Sequence, residues 1–336
     1  MLIKNSFGVL YKTTTKYPVL ASRSNTITFF TPTYNRAAFL PRLYRCLQNQ
    51  TSTNFVWIIV NDGSKDNTNE VVEVFIAKDE LPILYITKTN GGKHSAFKVA
   101  LEQCKTEFFQ CMDDDDIYDE KSVEFYLKEW AIIKKENRKD IGAIRTIARR
   151  PDGTFSVDKP NNINLGAVED LSTLEMTFIR KIHQENWTCY RTEALRDIDL
   201  FPKDYWLSEK HTFFLEAIWQ GRFARKYKCR YIYKSLREYT DDAETSLIRS
   251  NKSEKHYLNM FINTKMVLDE QLDYIAKNPL SLLRSIMMVQ FLRGYLNIPL
   301  KDLVKNTISI ALKTGYVVTG WASLLGRKVI KSHMRR

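Results

Sequence analysis

Four short apolar runs, each followed by a polar loop and then by a segment with helical spacing, constrain this chain more than any other feature. The runs are TITFF (26–30), FVWIIV (55–60), PILYI (82–86) and FFQCM (108–112), and a fifth, IGAIRTIA (141–148), closes the series. β-Branched and aromatic side chains dominate them, as strands require. Between them stand AAFLPRLYRCLQNQ, NTNEVVEVFIAKD, GGKHSAFKVALEQCK and EKSVEFYLKEWAIIKKE. These place apolar residues at helical spacing, as Val71, Val74 and Phe75 do against Glu70 and Glu73. Strand and helix in alternation predict an α/β fold: a doubly wound, mostly parallel sheet with helices on both faces. Sheets of this kind bind ligands outside the carboxyl ends of their strands.

The loops at that edge are TPTYN, NDGSKDNT, TKTNGGKH and DDDD. Any one of them reads equally well as a turn, because Asn, Asp, Gly and Ser are common there. Four on one rim favour a ligand site. Asp62, ending the second strand, is placed to accept hydrogen bonds from a base or a ribose, and Gly63 lets backbone approach a ligand closely. Asp66 is assigned instead to capping the helix that follows. In NGGKHSAF two glycines open a helix with Lys93 and His94 in its first turn, which attracts anions. The GxxxxGK[ST] spacing of a P-loop is absent, and His94 reads as well as an ordinary helix-start residue.

The aspartate run Asp113–Asp114–Asp115–Asp116 poses the sharpest electrostatic question, since adjacent carboxylates repel. Clustered carboxylates at a strand end are the hard oxygen ligands preferred by Mg²⁺ or Mn²⁺. Strand alternation continued into the loop puts Asp113 and Asp115 on one side and Asp114 and Asp116 on the other. An exposed acidic turn capping the next helix is the competing reading, but Asp119 already supplies that cap.

TPTYN, NDGSKDNT, NGGK and an apolar run leading into DDDD occur in the order found in family 2 glycosyltransferases of the GT-A fold, which the chain resembles over about residues 24–240. The resemblance implies an inverting, metal-dependent transferase that moves a sugar from a nucleoside-diphosphate sugar donor to a glycan or lipid-linked acceptor. By that resemblance Pro32, Tyr34, Asn35 and Asp62 line the nucleobase and ribose site, and Lys93 lies near the nucleotide. Asp113 to Asp115 form the D-x-D unit. Asp115, with Asp113, holds the metal, and Asp114 lies near the ribose. The catalytic base in this family is a carboxylate, usually within a Glu-Asp pair after an FP turn. Here FPKDYWLSEKHTFF offers Glu209, with Lys210 where the second acid usually stands, and Glu216 as the alternative. Glu209 also fits an ordinary helix-start acid. Trp187, in ENW, is a candidate for stacking on an acceptor sugar or for the core.

The remaining sequence sets the organisation. Residues 1–24 read as an N-terminal extension, 25–245 as the catalytic domain (nucleotide-sugar half 25–120, acceptor half 121–245) and 246–336 as a basic helical C-terminal region. RRPDGTFSVDKP reads as a hairpin, and 160–240 as irregular and aromatic-rich. A formal net charge of +12 implies acidic partners. The excess lies largely in the tail, where residues 301–336 hold eight Lys or Arg and one acid, so an anionic membrane surface is favoured over nucleic acid. Helices packed on the catalytic domain are the alternative for that tail. Five scattered cysteines without a CxxC pair fit a reducing compartment. No apolar run reaches the ~20 residues of a membrane-spanning helix, and the N-terminus lacks the pattern of a signal peptide. The expected location is cytoplasmic or peripheral to the inner face of the membrane. A nucleotidyltransferase making an activated sugar is the second functional reading, weakened because no Gly-rich, Arg- or Lys-bearing loop is evident after the first strand.

Overall fold

The computed structural model describes residues 3–4, 10–22, 24–158, 164, 166–200, 216–239 and 254–320. They divide into two compact units. The first comprises residues 1–172, 182–198 and 226–244, and the second 173–181, 199–225 and 245–336.

The first unit is built on one eleven-stranded sheet. Its strands are β1 (Ile3–Lys4), β2 (Leu10–Thr13), β3 (Ile27–Thr33), β4 (Phe55–Asn61), β5 (Ile83–Thr87), β6 (Phe108–Cys111), β7 (Ile117–Tyr118), β8 (Ile141–Arg149), β9 (Val168–Leu171), β10 (Asn186–Arg191) and β11 (Lys228–Glu238). The spatial order is β1-β2-β5-β4-β3-β6-β10-β8-β11-β7, with β9 beside β11. Strands β5, β4, β3 and β6 are parallel. β10 runs antiparallel between β6 and β8, and β11 is parallel to β8. The carboxyl ends of β3, β4, β5, β6, β8 and β11 therefore share one edge. Every residue of β4 is buried, as expected of a central parallel strand covered on both faces.

Around this sheet lie α1 (Lys16–Ala21), α2 (Leu40–Gln48), α3 (Thr68–Lys78), α4 (Lys93–Gln103), α5 (Ser122–Lys135) and α6 (Thr192–Arg196). Helix α2 turns Leu40, Leu43, Tyr44 and Leu47 inward at helical spacing, with Pro in its first turn, where no N–H is missed. Tyr44 stacks on Phe75 of α3 at 4.2 Å, and Phe108 of β6 stacks on Trp130 of α5 at 4.7 Å. Of the hairpin expected at 149–160, the described residues 149–158 contain the turn: Arg149 bridges Phe155, and Gly153 takes φ +83°.

Three expectations need correction. The first residues are not an appendage, because β2 pairs antiparallel with β5 from Leu10↔Thr87 to Thr13↔Leu84. Nor is 160–240 irregular throughout, since β9, β10 and β11 arise there. β11 (KCRYIYKSLRE) hides its strand character behind basic residues and register shifts at Ile232/Ser235 and Ser235/Arg237. The units part between 244 and 245, next to the expected boundary, but residues 173–181 and 199–225, expected within the catalytic domain, group with the C-terminal helices.

The second unit holds a π-helical turn (Glu175–Arg180) and α7 (Glu216–Lys226), except for its last residue. It continues with α8 (Glu254–Ile275), α9 (Pro279–Tyr295), α10 (Leu300–Lys305) and α11 (Ile310–Val318). Its own core joins Ile218, Phe261, Met266, Leu268, Val289, Leu292, Leu303 and Leu312. Gln271, at a break in α8, donates to the Ala217 carbonyl at 3.0 Å. No helix among the described residues is long and apolar enough to cross a membrane.

Candidate active site

The four polar loops meet at the shared strand edge, tied to one another by side-chain to backbone hydrogen bonds. Asn35, at φ +54°, donates its N–H to Ser64 Oγ at 2.9 Å and accepts from the Lys65 N–H at 2.7 Å. Asp66 accepts from the Thr68 N–H and hydroxyl at the start of α3, and from the Ala37 N–H at 3.0 Å. It thus caps the helix and joins the first loop to the second. Tyr34 is 44% exposed on this rim, and Pro32 is half-buried.

Asp62 is buried, and its carboxylate accepts from Lys88 Nζ at 2.5 Å and from the Gly91 and Gly92 N–H groups at 3.0 and 2.6 Å. Its charge thus organises the NGGK loop, with Lys88 as the cation offsetting it. Gly63 serves the same junction. At φ +83°, a Cβ there would lie 2.9 Å from Asn90 N, so the close approach is to the neighbouring loop's backbone. Gly92, at φ +85°, leads into α4 and leaves Lys93 in its first turn.

Among the described residues, Lys93, Arg36 and Arg237 offset the charge of the aspartate run. Lys93 Nζ donates to Asp113 Oδ1 at 2.8 Å. Arg36 spans two carboxylates, with Nε to Asp114 and Nη2 to Asp115, both at 2.6 Å. Arg237, from the carboxyl end of β11, donates to Asp116 Oδ2 at 2.5 Å and to Asp113 Oδ2 at 3.4 Å. Arg42 donates to the Asp115 carbonyl. The alternation expected from the sequence is present: Asp114 and Asp116 are buried at 3% and 1%, while Asp113 and Asp115 are half-exposed.

Protonation follows that division. Burial works against the charge on Asp113, but Lys93 and Arg237 more than offset it and hold the carboxyl down at about 2. Burial pushes Asp114 up to about 7; Arg36 opposes this, and the neighbouring Asp115 and Asp113 add to it. Burial likewise raises Asp116 to about 6 against the pull of Arg237. Asp114 Oδ2 has no hydrogen-bond partner among the described residues, as fits a carboxyl with a raised pKa.

Two expected roles conflict with these positions. Asp114 is too buried to meet a ribose, and its partner is Arg36. Trp187 is 2% exposed, donates its ring N–H to the Cys111 carbonyl at 2.8 Å and packs among Phe29, Tyr118 and Tyr126. It braces the strand that carries the aspartates and offers no face to a sugar. Glu209 lies outside the described residues, and Glu216 is the exposed first residue of α7 in the second unit.

Arg36, Lys88 and Arg237 were not anticipated. Arg36 directly follows TPTYN, so the first loop does carry a basic residue. Arg237 stands 121 residues beyond Asp116 and had no local signal.

Residues 28–161 match the family model described as glycosyl transferase family 2. The poly(ribitol-phosphate) beta-N-acetylglucosaminyltransferase TarS of Staphylococcus aureus is 26% identical over 189 residues, covering 55% of this chain and 31% of TarS. The chain thus spans about a third of the length of that relative. The crystal structure of S. aureus TarS 1–349 in complex with UDP-GlcNAc shares the fold at TM-score 0.59 and 17% identity, covering 92% of each chain. A mannosyltransferase from Pyrobaculum calidifontis, in complex with GDP-Man and Mn²⁺, does so at TM-score 0.50 and 16% identity, covering 92% of this chain and 87% of that one.

Proposed function

We propose, from the match of residues 28–161 to glycosyl transferase family 2, that this chain moves a sugar from a nucleoside-diphosphate sugar to a hydroxyl of a glycan or lipid-linked acceptor, with inversion, at the edge where the four loops meet. The observation that carries this reading is the set of three cations, Arg36, Lys93 and Arg237, gathered around half-exposed Asp113 and Asp115 at a strand end. A nucleoside diphosphate needs such an arrangement of fixed positive charge. TarS, solved with UDP-GlcNAc, supports a nucleotide sugar as donor, and its name supports a polymeric glycan acceptor.

The donor set fits Mg²⁺ or Mn²⁺. Half-exposed Asp113 and Asp115 would offer it hard oxygen atoms, and Asp113 stays ionised down to about 2. No group of three or more metal-ligating side chains occurs among the described residues, so diphosphate oxygens and water would complete the shell. The mannosyltransferase solved with GDP-Man and Mn²⁺ supports the same metal class. Bound there, a divalent ion supplies charge neutralisation for the departing diphosphate.

The chain's own residues do the rest. Lys93 and Arg36, paired with Asp113, Asp114 and Asp115, would lend their charge to the diphosphate. Tyr34 presents an exposed ring to the nucleobase, while Pro32 and Asn35 shape the first loop beside it. Asp62 acts through the loop it holds. Glu209, or Glu216 in its place, takes the proton from the acceptor hydroxyl as that oxygen attacks the anomeric carbon. A peripheral position at the inner face of the membrane would bring the site to a lipid-linked acceptor.

The test is a panel of nucleotide sugars with Mn²⁺, scored for nucleoside diphosphate release by the parent and by Asp115→Ala. One donor should be turned over by the parent and lost in the variant. No turnover of any donor, or equal turnover by both proteins, defeats the reading.

A further inference from the structure

Helix α11 has two apolar faces, and only one of them is packed. Leu312, Tyr316 and Thr319 are buried. Ile310, Ala311, Thr314, Val317 and Val318 recur at i, i+1, i+4, i+7 and i+8, which is a single stripe of a helix, and all are exposed. Ile310 is 80% exposed, Val317 59% and Val318 68%, and Ile308, just ahead, is 92% exposed.

The helix is held so that this stripe faces outward. Gln290 of α9 donates to the Tyr316 carbonyl. Arg293, buried beside it, donates to Gln290 Oε1 at 2.7 Å, to the Ile298 carbonyl at 2.9 Å and to the Gly320 carbonyl at 3.4 Å. Gly315 lies so close to α9 that a Cβ there would come within 3.1 Å of Ile286 Cδ1. Lys265, fully buried in α8, donates to the Asn306 carbonyl at 2.7 Å and so fixes the end of α10. Rotating α11 to hide its outer stripe would break these contacts and expose Leu312 and Tyr316.

Charge selects the occupant. Lys301 and Lys305 of α10 are exposed and Lys313 of α11 is half-buried, and Asp302 is the one acid of residues 301–320. Residues 321–336 add Arg327, Lys328, Lys331, Arg335 and Arg336 with no acid. A second copy of the chain would bring another formal charge of +12 to the contact.

We propose that α11 docks on an anionic lipid bilayer, its Ile308, Ile310, Val317 and Val318 seated below the headgroups, with the basic surplus of the tail favouring anionic lipid. This deepens the reading of a lipid-linked acceptor and rests on it for its purpose, but its test does not require turnover.

The test is flotation of the full chain with vesicles of phosphatidylcholine alone and of phosphatidylcholine containing phosphatidylglycerol. Binding to the anionic vesicles should exceed binding to the neutral ones by about tenfold or more at low salt and fall as salt rises. Ile310→Glu/Val317→Glu and the neutral Ile310→Ser/Val317→Ser should each weaken it by about tenfold or more, with unchanged thermal melting. Binding by both variants equal to that of the parent would overturn the proposal, because charge alone would then suffice. So would the absence of vesicle binding, whether or not light scattering shows a dimer that the variants lose. Vesicle binding without turnover of any donor would count against the enzymatic reading and leave the surface standing.

Discussion

Replacing Arg237 by methionine isolates the contact that holds the aspartate run to the far side of the sheet. Arg237 Nε lies 2.5 Å from Asp116 Oδ2 and Nη2 3.4 Å from Asp113 Oδ2, with the two partners' side chains 1% and 29% exposed. Methionine keeps most of the volume and leaves the Asp116 carboxylate buried without its cation. Removing one partner of such a pair destabilises by about 3–5 kcal/mol. The effect depends on pH in a defined direction. Burial raises Asp116 to about 6 in the fold, above the value of about 4 in an unfolded chain. Its contribution is therefore fully present below about pH 4 and is lost as pH rises through about 6. Without Arg237 the carboxyl rises further, so the deficit of the variant should be small near pH 4 and grow as pH rises above about 6. Urea unfolding at about pH 5 and pH 8 measures this. Adding Asp116→Asn to Arg237→Met should recover at least half of the loss at the higher pH, since no buried charge then remains to be offset. An unchanged unfolding midpoint for Arg237→Met at pH 8, or the same deficit at both pH values, would refute the reasoning.

Other substitutions test the loops and the core. Gly63→Ala forces a Cβ to 2.9 Å from Asn90 N at φ +83°; thermal denaturation should show a loss of about 1–3 kcal/mol, and nucleotide affinity should fall with it. Asp66→Asn removes a carboxylate that burial pushes up but that the Thr68 hydroxyl and the Ala37 and Thr68 N–H groups pull below its usual range. Because a lowered pKa stabilises above the ordinary carboxylate value, the variant should lose about 0.5–2 kcal/mol at pH 7 and match the parent as pH falls below about 4. Trp187→Phe breaks the 2.8 Å bond to the Cys111 carbonyl and should reduce stability by about 1 kcal/mol in urea, while leaving the KM for the acceptor unchanged. A manyfold rise in that KM at constant stability would restore Trp187 to an acceptor role.

Much of the nucleotide half was legible because its signals are local. β3, β4, β5 and β6 fall within a residue or two of the apolar runs, except at the end of β3, which extends to Thr33. The split of the aspartates into half-exposed Asp113 and Asp115 and buried Asp114 and Asp116 matches the expectation drawn from strand alternation, although the backbone turns at Asp114 and Asp115 and β6 ends at Cys111. What escaped depends on pairs distant in sequence. Asp62 looked like a ligand group because nothing nearby revealed that Lys88, Gly91 and Gly92 consume its hydrogen bonds. Arg237 belongs to a strand whose basic residues and register shifts obscure its period. For the tail the sequence left two readings open, a membrane surface or packing on the catalytic domain, because periodicity alone does not tell which side chains of α11 are covered; Ile310, Val317 and Val318 are the exposed ones.

The most direct test titrates UDP and GDP into the parent and into Asp115→Ala, with Mn²⁺ and with excess chelator. Arg36, Lys93 and Arg237 around Asp113 and Asp115 lead to one expected result: one nucleotide binds the parent, binding depends on the metal, and Asp115→Ala loses at least tenfold in affinity. Affinity that is the same with metal or chelator and the same in the variant, or no binding of either nucleotide, would contradict the assignment of this strand edge as a nucleoside-diphosphate site.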